Sequence, residues 1–262
     1  LLSAGVKIID LSADFRLKDA KEWQRWYGEA HASEYLLKEA VYGLPEKNRK
    51  QVQSARLIAN PGCYPTAIQL GWLPLLSTNW IDAQTFIADA KSGVSGAGRV
   101  AKLGSLYAEV HENFKAYGIE GHRHLPEIRA QIQEGMHGDN VSLVFTPHLV
   151  PMMRGILATL YVRTTENFKL TESQLQSYYQ DFYQGDAFVE VLPVGKYPET
   201  RNVRGTNLCQ LGVRYLPSER MILVVSAIDN LVKGAAGQAV QNMNLIFDLE
   251  ESCGLNLSAW AP

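Results

Sequence analysis

The sequence is poor in cysteine, has no excess of charge of either sign and contains no long apolar run. Its 262 residues include three cysteines and nearly balanced charges, with a formal net charge of -2. An odd, sparse set of cysteines argues against a disulfide framework and indicates a reducing cytoplasm. Without a basic block, a membrane-spanning run or a signal-peptide pattern, we expect no nucleic-acid partner, no membrane insertion and no export.

The patterns that are present predict a mixture of strands and helices. Apolar residues make up 46% of the chain, which suffices for a buried core in one large domain or two joined ones. Patterning predicts strands at residues 6–11, 56–60, 85–90, 141–146, 155–164, 188–192, 210–216 and 220–227. It predicts helices at residues 19–27, 33–40, 66–76, 101–109, 125–135, 171–185 and 232–249. This order indicates an α/β or α+β fold with an antiparallel-rich sheet in its later part.

Cys63 stands at the most informative turn of the sequence. Pro61 and Gly62 predict a tight turn between a strand and a helix. A thiol at a helix N-terminus meets the positive end of the helix dipole and unpaired N–H groups, which favour the thiolate and can hold an oxyanion. The position therefore indicates a nucleophile for covalent catalysis. The alternative is a buried structural cysteine. Cys209 and Cys253 lack such a setting, and we interpret both as structural.

A histidine pair precedes the helix predicted at 125–135. His122 and His124 flank an arginine, and Glu127 falls in the first turn of the helix, where it could orient one imidazole. A base with a pKa near neutrality is what a catalytic thiol requires. Two alternatives stay open: a capped helix with surface histidines, and a metal site, although no further ligand cluster supports the second.

A glycine-rich segment follows the strand predicted at 85–90. The glycine order in residues 92–98 is G-x-x-G-x-G, which differs from the dinucleotide fingerprint G-x-G-x-x-G. Its backbone N–H groups could still approach a phosphate, with Ser92, Ser95 and Arg99 as additional donors. The alternative is a flexible loop without a ligand.

Taken together, these segments resemble the N-acetyl-gamma-glutamyl-phosphate reductases, NADPH-dependent oxidoreductases of arginine biosynthesis. The matching stretches run in family order over nearly the whole chain: LSADFR (11–16), YGLPE (42–46), NPGCYPT (60–66), SGVSGAGR (92–99), HRHLPEI (122–128), FTPHL (145–149), RGIL (154–157) and DNLVKGAA (229–236). The combination is specific, although each stretch alone is not.

The resemblance implies an α/β fold with two parts. Residues 1–62 and 228–262 would form the C-terminal part of a Rossmann NADP-binding domain, and residues 63–227 an inserted α+β catalytic and dimerisation domain like that of glyceraldehyde-3-phosphate dehydrogenase. The chain starts without methionine, just before a predicted core strand, and the family's N-terminal glycine-rich phosphate loop has no counterpart here. We therefore expect an N-terminal nucleotide-binding segment to be missing, which puts NADPH binding by this chain in question.

The resemblance also implies roles for individual residues. Cys63 would be the nucleophile, and one of His122 and His124 the acid/base, with His124 favoured. Five residues would approach the cofactor: Ser92, Gly93, Ser95, Gly96 and Asn230. Three would contact the substrate: Arg99, Arg154 and Glu127. The family further implies a small acyl-phosphate substrate, a homo-oligomer and no metal.

Three rival interpretations stay open from the sequence. Aspartate-semialdehyde dehydrogenase has parallel chemistry, but residues 122–128 fit it poorly. A cysteine hydrolase or acyltransferase would use Cys63 and His124 without a nucleotide. A fragment without turnover would serve only in assembly.

Overall fold

A small parallel sheet carries the first part of the chain. The structure is a computed structural model and describes residues 1–98, 100 and 102–259. Strand β1 (Ile8–Asp10) pairs with β3 (Leu57–Ala59), which pairs with β2 (Val41–Tyr42), all in parallel. Parallel pairing places the carboxyl ends of β1 and β3 side by side, and Asn60 N–H donates to the carbonyl of Asp10 at 2.8 Å. The segments that leave these two strands therefore start together.

A seven-stranded mixed sheet forms the larger part, in the order β5-β6-β4-β7-β10-β9-β8. Antiparallel pairs join β4 to β7, β7 to β10 and β10 to β9, whereas β4 to β6 and β8 to β9 are parallel. The antiparallel-rich sheet predicted from the sequence is confirmed. Its strands are β4 (Phe86–Ser92), β5 (Lys115–Ala116), β6 (Leu143–Leu149), β7 (Ile156–Arg163), β8 (Val189–Val191), β9 (Cys209–Leu216) and β10 (Met221–Ile228).

Helices cover one face of the large sheet and flank the small one. Helix α3 is apolar on nearly every side and packs against β7 and β10, where Gly71 allows the methyl groups of Leu160 to approach its backbone. Helices α2 and α8 pack on the small sheet around Val52 and Ile58. The helices are α1 (Ala20–Tyr27), α2 (Pro45–Ser54), α3 (Cys63–Leu76), α4 (Tyr107–Val110), α5 (His124–Gly135), α6 (Glu172–Phe182), α7 (Thr200–Val203) and α8 (Gly237–Ile246).

Most elements fall where the sequence predicts them. Among them, α6 follows Thr171, which forms a complete capping box with Gln174. Helix α2 was not predicted, because its sequence is polar and Pro45 and Val52 are its only buried apolar residues, so it shows no apolar periodicity. The helix predicted at 33–40 is a short 3₁₀ turn, Glu34–Leu36. The helix predicted at 232–249 begins as a π-helical turn, Val232–Ala236, before α8.

Candidate active site

Cys63 is the first residue of α3, at the turn that leaves β3. Its preceding residue, Gly62, is extended, and the Gly62 carbonyl accepts both the N–H and the hydroxyl of Thr66, at 3.0 and 2.9 Å. The thiol therefore lies at the N-terminus of a 14-residue helix, as the sequence predicts. Cys63 and Tyr64 are the first two residues of that helix, so their backbone N–H groups have no acceptor within it.

Glu127 holds this turn from below. Its Oε1 accepts the Gly62 N–H at 2.9 Å and the Tyr42 hydroxyl at 2.8 Å, and its Oε2 lies 3.4 Å from an Arg16 nitrogen. Only 2% of the residue is exposed. A buried carboxylate with three partners in the protein fixes the backbone on which the nucleophile stands.

His124 lies directly against the cysteine turn. A side chain added at Gly62 would place its Cβ 2.6 Å from Nε2 of His124, so only glycine leaves room for the imidazole. His122 lies behind it, in edge contacts with Tyr64, Tyr117 and Phe145, and its Nδ1 accepts the His124 backbone N–H at 3.1 Å. The geometry therefore brings His124, rather than His122, to the cysteine.

The thiol and the imidazole are both neutral in the free site. Burial raises the pKa of Cys63 to about 11, against the opposing effects of the Tyr64 N–H and Arg16. Burial, followed by the His122 and Arg16 charges, holds the pKa of His124 well below 6.5, and burial lowers that of His122 to about 4. The backbone N–H groups at the helix N-terminus do lower the pKa of Cys63, as the sequence predicts, but desolvation outweighs them, so the neutral thiol is favoured in the free site.

The glycine-rich segment forms the opposite wall. After β4 it turns through a 3₁₀ segment, Val94–Ala97, in which the Ser95 hydroxyl donates to the Met153 carbonyl at 2.6 Å. Asn230 ties this wall together: its Nδ2 donates to Ser95 Oγ at 3.0 Å, and its Oδ1 accepts the Gly155 N–H at 2.7 Å. A Cβ on Gly96 would lie 2.7 Å from Ser92 Oγ, so the segment is closely packed rather than loose.

These walls enclose one open cleft of about 370 Å³. It brings together five residues singled out in the sequence: Cys63, His124, Ser95, Gly96 and Asn230. Arg16 and Gly234, which the sequence analysis did not single out as site residues, are also among the residues that line the cleft. A cleft that joins a nucleophile, a neutral base, a cation and a glycine-rich wall can carry out acyl transfer through a covalent intermediate.

Family models match both parts of the chain. Residues 63–230 match the dimerisation domain of the semialdehyde dehydrogenases, and residues 1–55 match their NAD-binding domain. Over all 262 residues the chain is 55% identical to the N-acetyl-gamma-glutamyl-phosphate reductase of Aromatoleum aromaticum and 56% identical to that of Ectopseudomonas mendocina, covering 75% of each relative. The chain belongs to the N-acetyl-gamma-glutamyl-phosphate reductase family.

Solved structures agree on the fold of this reductase family. An aspartate semialdehyde dehydrogenase II from Vibrio cholerae superposes with a TM-score of 0.69 at 18% identity, over 94% of this chain and 74% of that one. A probable aspartate-semialdehyde dehydrogenase from Pseudomonas aeruginosa superposes with a TM-score of 0.58 at 22% identity, over 79% and 68%. At these identities the likeness establishes the fold, which confirms the expected α/β class with nucleotide-binding and dimerisation parts.

Several residues predicted for the reductase site lie outside the cleft. Ser92 and Gly93 lie beneath its wall, and a Cβ on Gly93 would lie 2.8 Å from the backbone of Met153. Arg154 pairs with the buried carboxylate of Asp229, Nε to Oδ2 at 3.0 Å, and borders a separate hollow. Glu127 lies under the cysteine turn. Arg99 lies outside the described residues.

Arg16 is the cation of the cleft that the sequence analysis missed. Its Nε donates to the Asn60 carbonyl at 2.8 Å and an Nη to the Leu11 carbonyl at 2.9 Å. The signal was available, because Arg16 ends the stretch LSADFR that follows β1, and parallel strands bring their carboxyl ends to one edge. No pattern in the sequence, however, indicates that β1 and β3 pair in the sheet.

Gly234 is the second residue that was missed. It lies in the π-helical turn, and a Cβ built on it would fall 2.7 Å from Cβ of Cys63 and 3.1 Å from its Cα. The turn thus closes on the nucleophile without space for any side chain.

Among the described residues no group of three or more histidine, cysteine or acidic side chains could hold a metal ion. No helix in that part of the chain is long and apolar enough to span a membrane.

Proposed function

We propose that the chain carries out the NADPH-dependent reduction of N-acetyl-gamma-glutamyl phosphate to N-acetylglutamate 5-semialdehyde and phosphate, a step of arginine biosynthesis. The observation that carries the proposal is the single cleft in which Cys63, His124 and the glycine-rich wall meet. The 55% identity to a reductase of this name supports the choice of substrate over the aspartate analogue.

The first step is acylation of Cys63. Neutral His124 takes the thiol proton as the sulfur attacks the acyl carbon, so the thiolate forms only when the electrophile is present. The S–C bond forms, the C–O bond to phosphate breaks, and a thioester remains on Cys63. The N–H groups of Cys63 and Tyr64, at the start of α3, would hold the oxyanion that forms on the attacked carbon.

The second step returns the thiol. Reduced nicotinamide supplies a hydride to the thioester carbon when the cofactor is bound. The imidazolium of His124 gives its proton to the oxygen of the resulting hemithioacetal anion. His124 then removes that proton as the C–S bond breaks and gives it to the departing sulfur, which releases the aldehyde and restores the thiol and the neutral imidazole. The low pKa of His124 makes its protonated form a strong acid for this transfer.

We assign Arg16 to the phosphate of the substrate. It is the one cation among the described residues that line the cleft, and a guanidinium has five N–H donors, of which Asn60, Leu11 and Glu127 engage three. The remaining donors suit the leaving phosphate. The roles of Arg99 and Arg154 at other anionic groups of the substrate remain proposals from the family pattern, since Arg154 does not line this cleft.

The cleft also suits the reactive end of a nicotinamide cofactor. Ser95, Gly96 and Asn230 line it opposite Cys63. Gly98 in the same wall has a φ of 79°, a conformation that favours glycine, so no side chain projects from that position. These residues would hold the ring against the thioester carbon. Ser92 and Gly93 would support that wall from beneath. We propose NADPH rather than NADH from the family resemblance alone.

We further propose that the chain assembles with a second copy through the open face of the large sheet. Val144, Ile87, Tyr161 and Leu223 align in register across β6, β4, β7 and β10 on the face opposite the helices. Val144 is 54% exposed and Ile87 39%. An apolar row of this kind favours association.

The proposed domain boundaries are 63–227 for the catalytic and dimerisation domain and 1–62 with 228–262 for the nucleotide-binding part. We also propose that the protein is cytoplasmic, which agrees with its three free thiols.

The decisive experiment separates acylation from reduction. The chain is incubated with N-acetyl-gamma-glutamyl phosphate with and without NADPH, and products and the mass of the Cys63 peptide are measured. We expect aldehyde only with NADPH, and without it one phosphate released per chain and an acyl adduct on Cys63. The variant Cys63→Ser should lose both, whereas Cys253→Ser, at an exposed thiol, should lose neither.

Other outcomes would identify the rival functions. Continuous release of N-acetylglutamate without nucleotide would identify a hydrolase, and transfer to an added thiol or amine would identify an acyltransferase. Absence of the adduct would refute the covalent route for this chain.

A further inference from the structure

The π-helical turn beside Cys63 is held on its far side by a buried ion pair. Lys233 is fully buried, and its Nζ lies 2.6 Å from Oε1 of Glu46 and 2.8 Å from Oε1 of Gln241. Glu46 is equally buried, in the first turn of α2. Neither residue touches the cleft, and the mechanism above uses neither. A buried pair of this kind is a poor source of stability, so its presence requires another explanation.

The turn links that ion pair to the nucleophile within one residue. Gly234, which follows Lys233, lies against Cα and Cβ of Cys63. The Ala235 carbonyl accepts the Nδ2 amide of Asn60, in the cysteine turn, at 3.1 Å. The Asp229 carboxylate accepts the N–H groups of Leu231 and Val232 where the segment begins. A π-helical turn is an unfavourable local geometry, so outside contacts must hold it.

We propose that Lys233 is a positioning residue, which acts through its ion pair with Glu46 to hold the π-helical turn closed on Cys63. The closed turn keeps water from the side of the thiol that faces it and fixes the direction in which the sulfur points. The proposal rests on Cys63 as the nucleophile. Its test measures the thiol itself, so that it can fail or succeed whether or not reduction occurs.

The test compares a broken pair with a pair that has been removed altogether. Lys233→Met leaves the Glu46 carboxylate buried without its cation, which lowers stability. The double variant Lys233→Met/Glu46→Leu replaces both charges by apolar groups of similar size. Such a replacement restores stability but does not restore the ion pair between the π-helical turn and α2. Lys47→Met is the matched control, because Lys47 follows Glu46 on α2 and its ion-pair partner, Glu134, is exposed.

The readouts are the melting temperature and the rate of Cys63 alkylation by iodoacetamide between pH 7 and 10, followed on the Cys63 peptide by mass spectrometry. Loosening the turn admits water, so we expect the double variant to melt near the wild-type temperature while Cys63 is alkylated at least about tenfold faster at pH 8, equivalent to one unit of thiol pKa. Lys47→Met should match the wild type in alkylation.

Two results would overturn the proposal. Recovery of both stability and the wild-type alkylation profile in the double variant would show that the pair acts on stability alone. An unchanged alkylation profile in a folded Lys233→Met variant would show that the turn stays closed without the pair. If Lys233→Met does not fold, the double variant decides the question.

Discussion

Replacing Gly62 with alanine should displace the imidazole of His124, the proposed acid/base, while leaving the backbone unstrained. Gly62 has φ -69° and ψ 159°, which any L-residue adopts. The added Cβ would lie 2.6 Å from Nε2 of His124, whereas ordinary contacts begin at about 3.4 Å. The imidazole must therefore move by about 0.8 Å. A displacement of about this size at a reacting group can reduce the rate about 100-fold, and overpacking of this kind costs about 1–3 kcal/mol of stability.

The assay is the reverse reaction, in which NADP⁺ is reduced with N-acetylglutamate semialdehyde and phosphate. We expect kcat to fall about 100-fold with a much smaller change in KM, because the binding residues of the cleft are not displaced. Gly104→Ala is the control, since its Cβ would meet only Lys115 Nζ at 3.5 Å. The double variant Gly62→Ala/His124→Ala should be no slower than His124→Ala alone, because both changes remove the same proton transfer.

One result would refute this reasoning. If Gly62→Ala retains a kcat within twofold of wild type while His124→Ala is inactive, then the imidazole does not need the position that it occupies against the cysteine turn. A loss of rate that adds to that of His124→Ala would instead indicate that Gly62 acts on Cys63 itself.

Three further outcomes are expected. Because burial raises the pKa of Cys63 from 9.0 to about 11, its neutral form is favoured. The rate of alkylation at Cys63 in the free chain should therefore rise about tenfold per pH unit from pH 7 to 10 without a plateau. A plateau near pH 9 would contradict this. Arg16→Lys keeps a cation beside Glu127 but loses the forked donors, so KM for phosphate in the reverse reaction should rise about tenfold, with kcat changed less. Asn230→Ala leaves the buried Gly155 N–H without its acceptor, so urea denaturation should show a loss of about 1–3 kcal/mol, together with a higher KM for NADPH; an unchanged urea midpoint would contradict the role of this hydrogen bond.

The elements of the fold were largely predictable because they depend on local patterns. The apolar run of α3 and the alternating strands β7 and β10 follow from side-chain periodicity within a few residues. Helix α2 escaped prediction because its polar sequence is stabilised by tertiary contacts, with Val52 alone reaching the core in its last turns. The π-helical turn escaped for the same reason, since residues 232–236 read locally as ordinary helix.

The candidate site divides in the same way. Cys63, His124, Ser95, Gly96 and Asn230 were named from sequence and lie together in one cleft. The sequence placed Glu127 correctly in the first turn of its helix. Its buried position under the cysteine turn, however, depends on contacts with Tyr42 and Gly62, from distant parts of the chain. Arg16 and Gly234 were missed because each reaches the cleft through packing between segments more than 40 residues apart.

The α/β class, the family and the position of Cys63 at the start of a helix follow from residue types within short windows of the chain. The protonation state of that thiol depends instead on the folded structure. Its neutrality results from the desolvation that the surrounding elements impose, among them the turn that closes on Cys63 at Gly234. Burial is a property of the assembled chain, and here it reverses the effect that the helix N-terminus alone would have on the pKa.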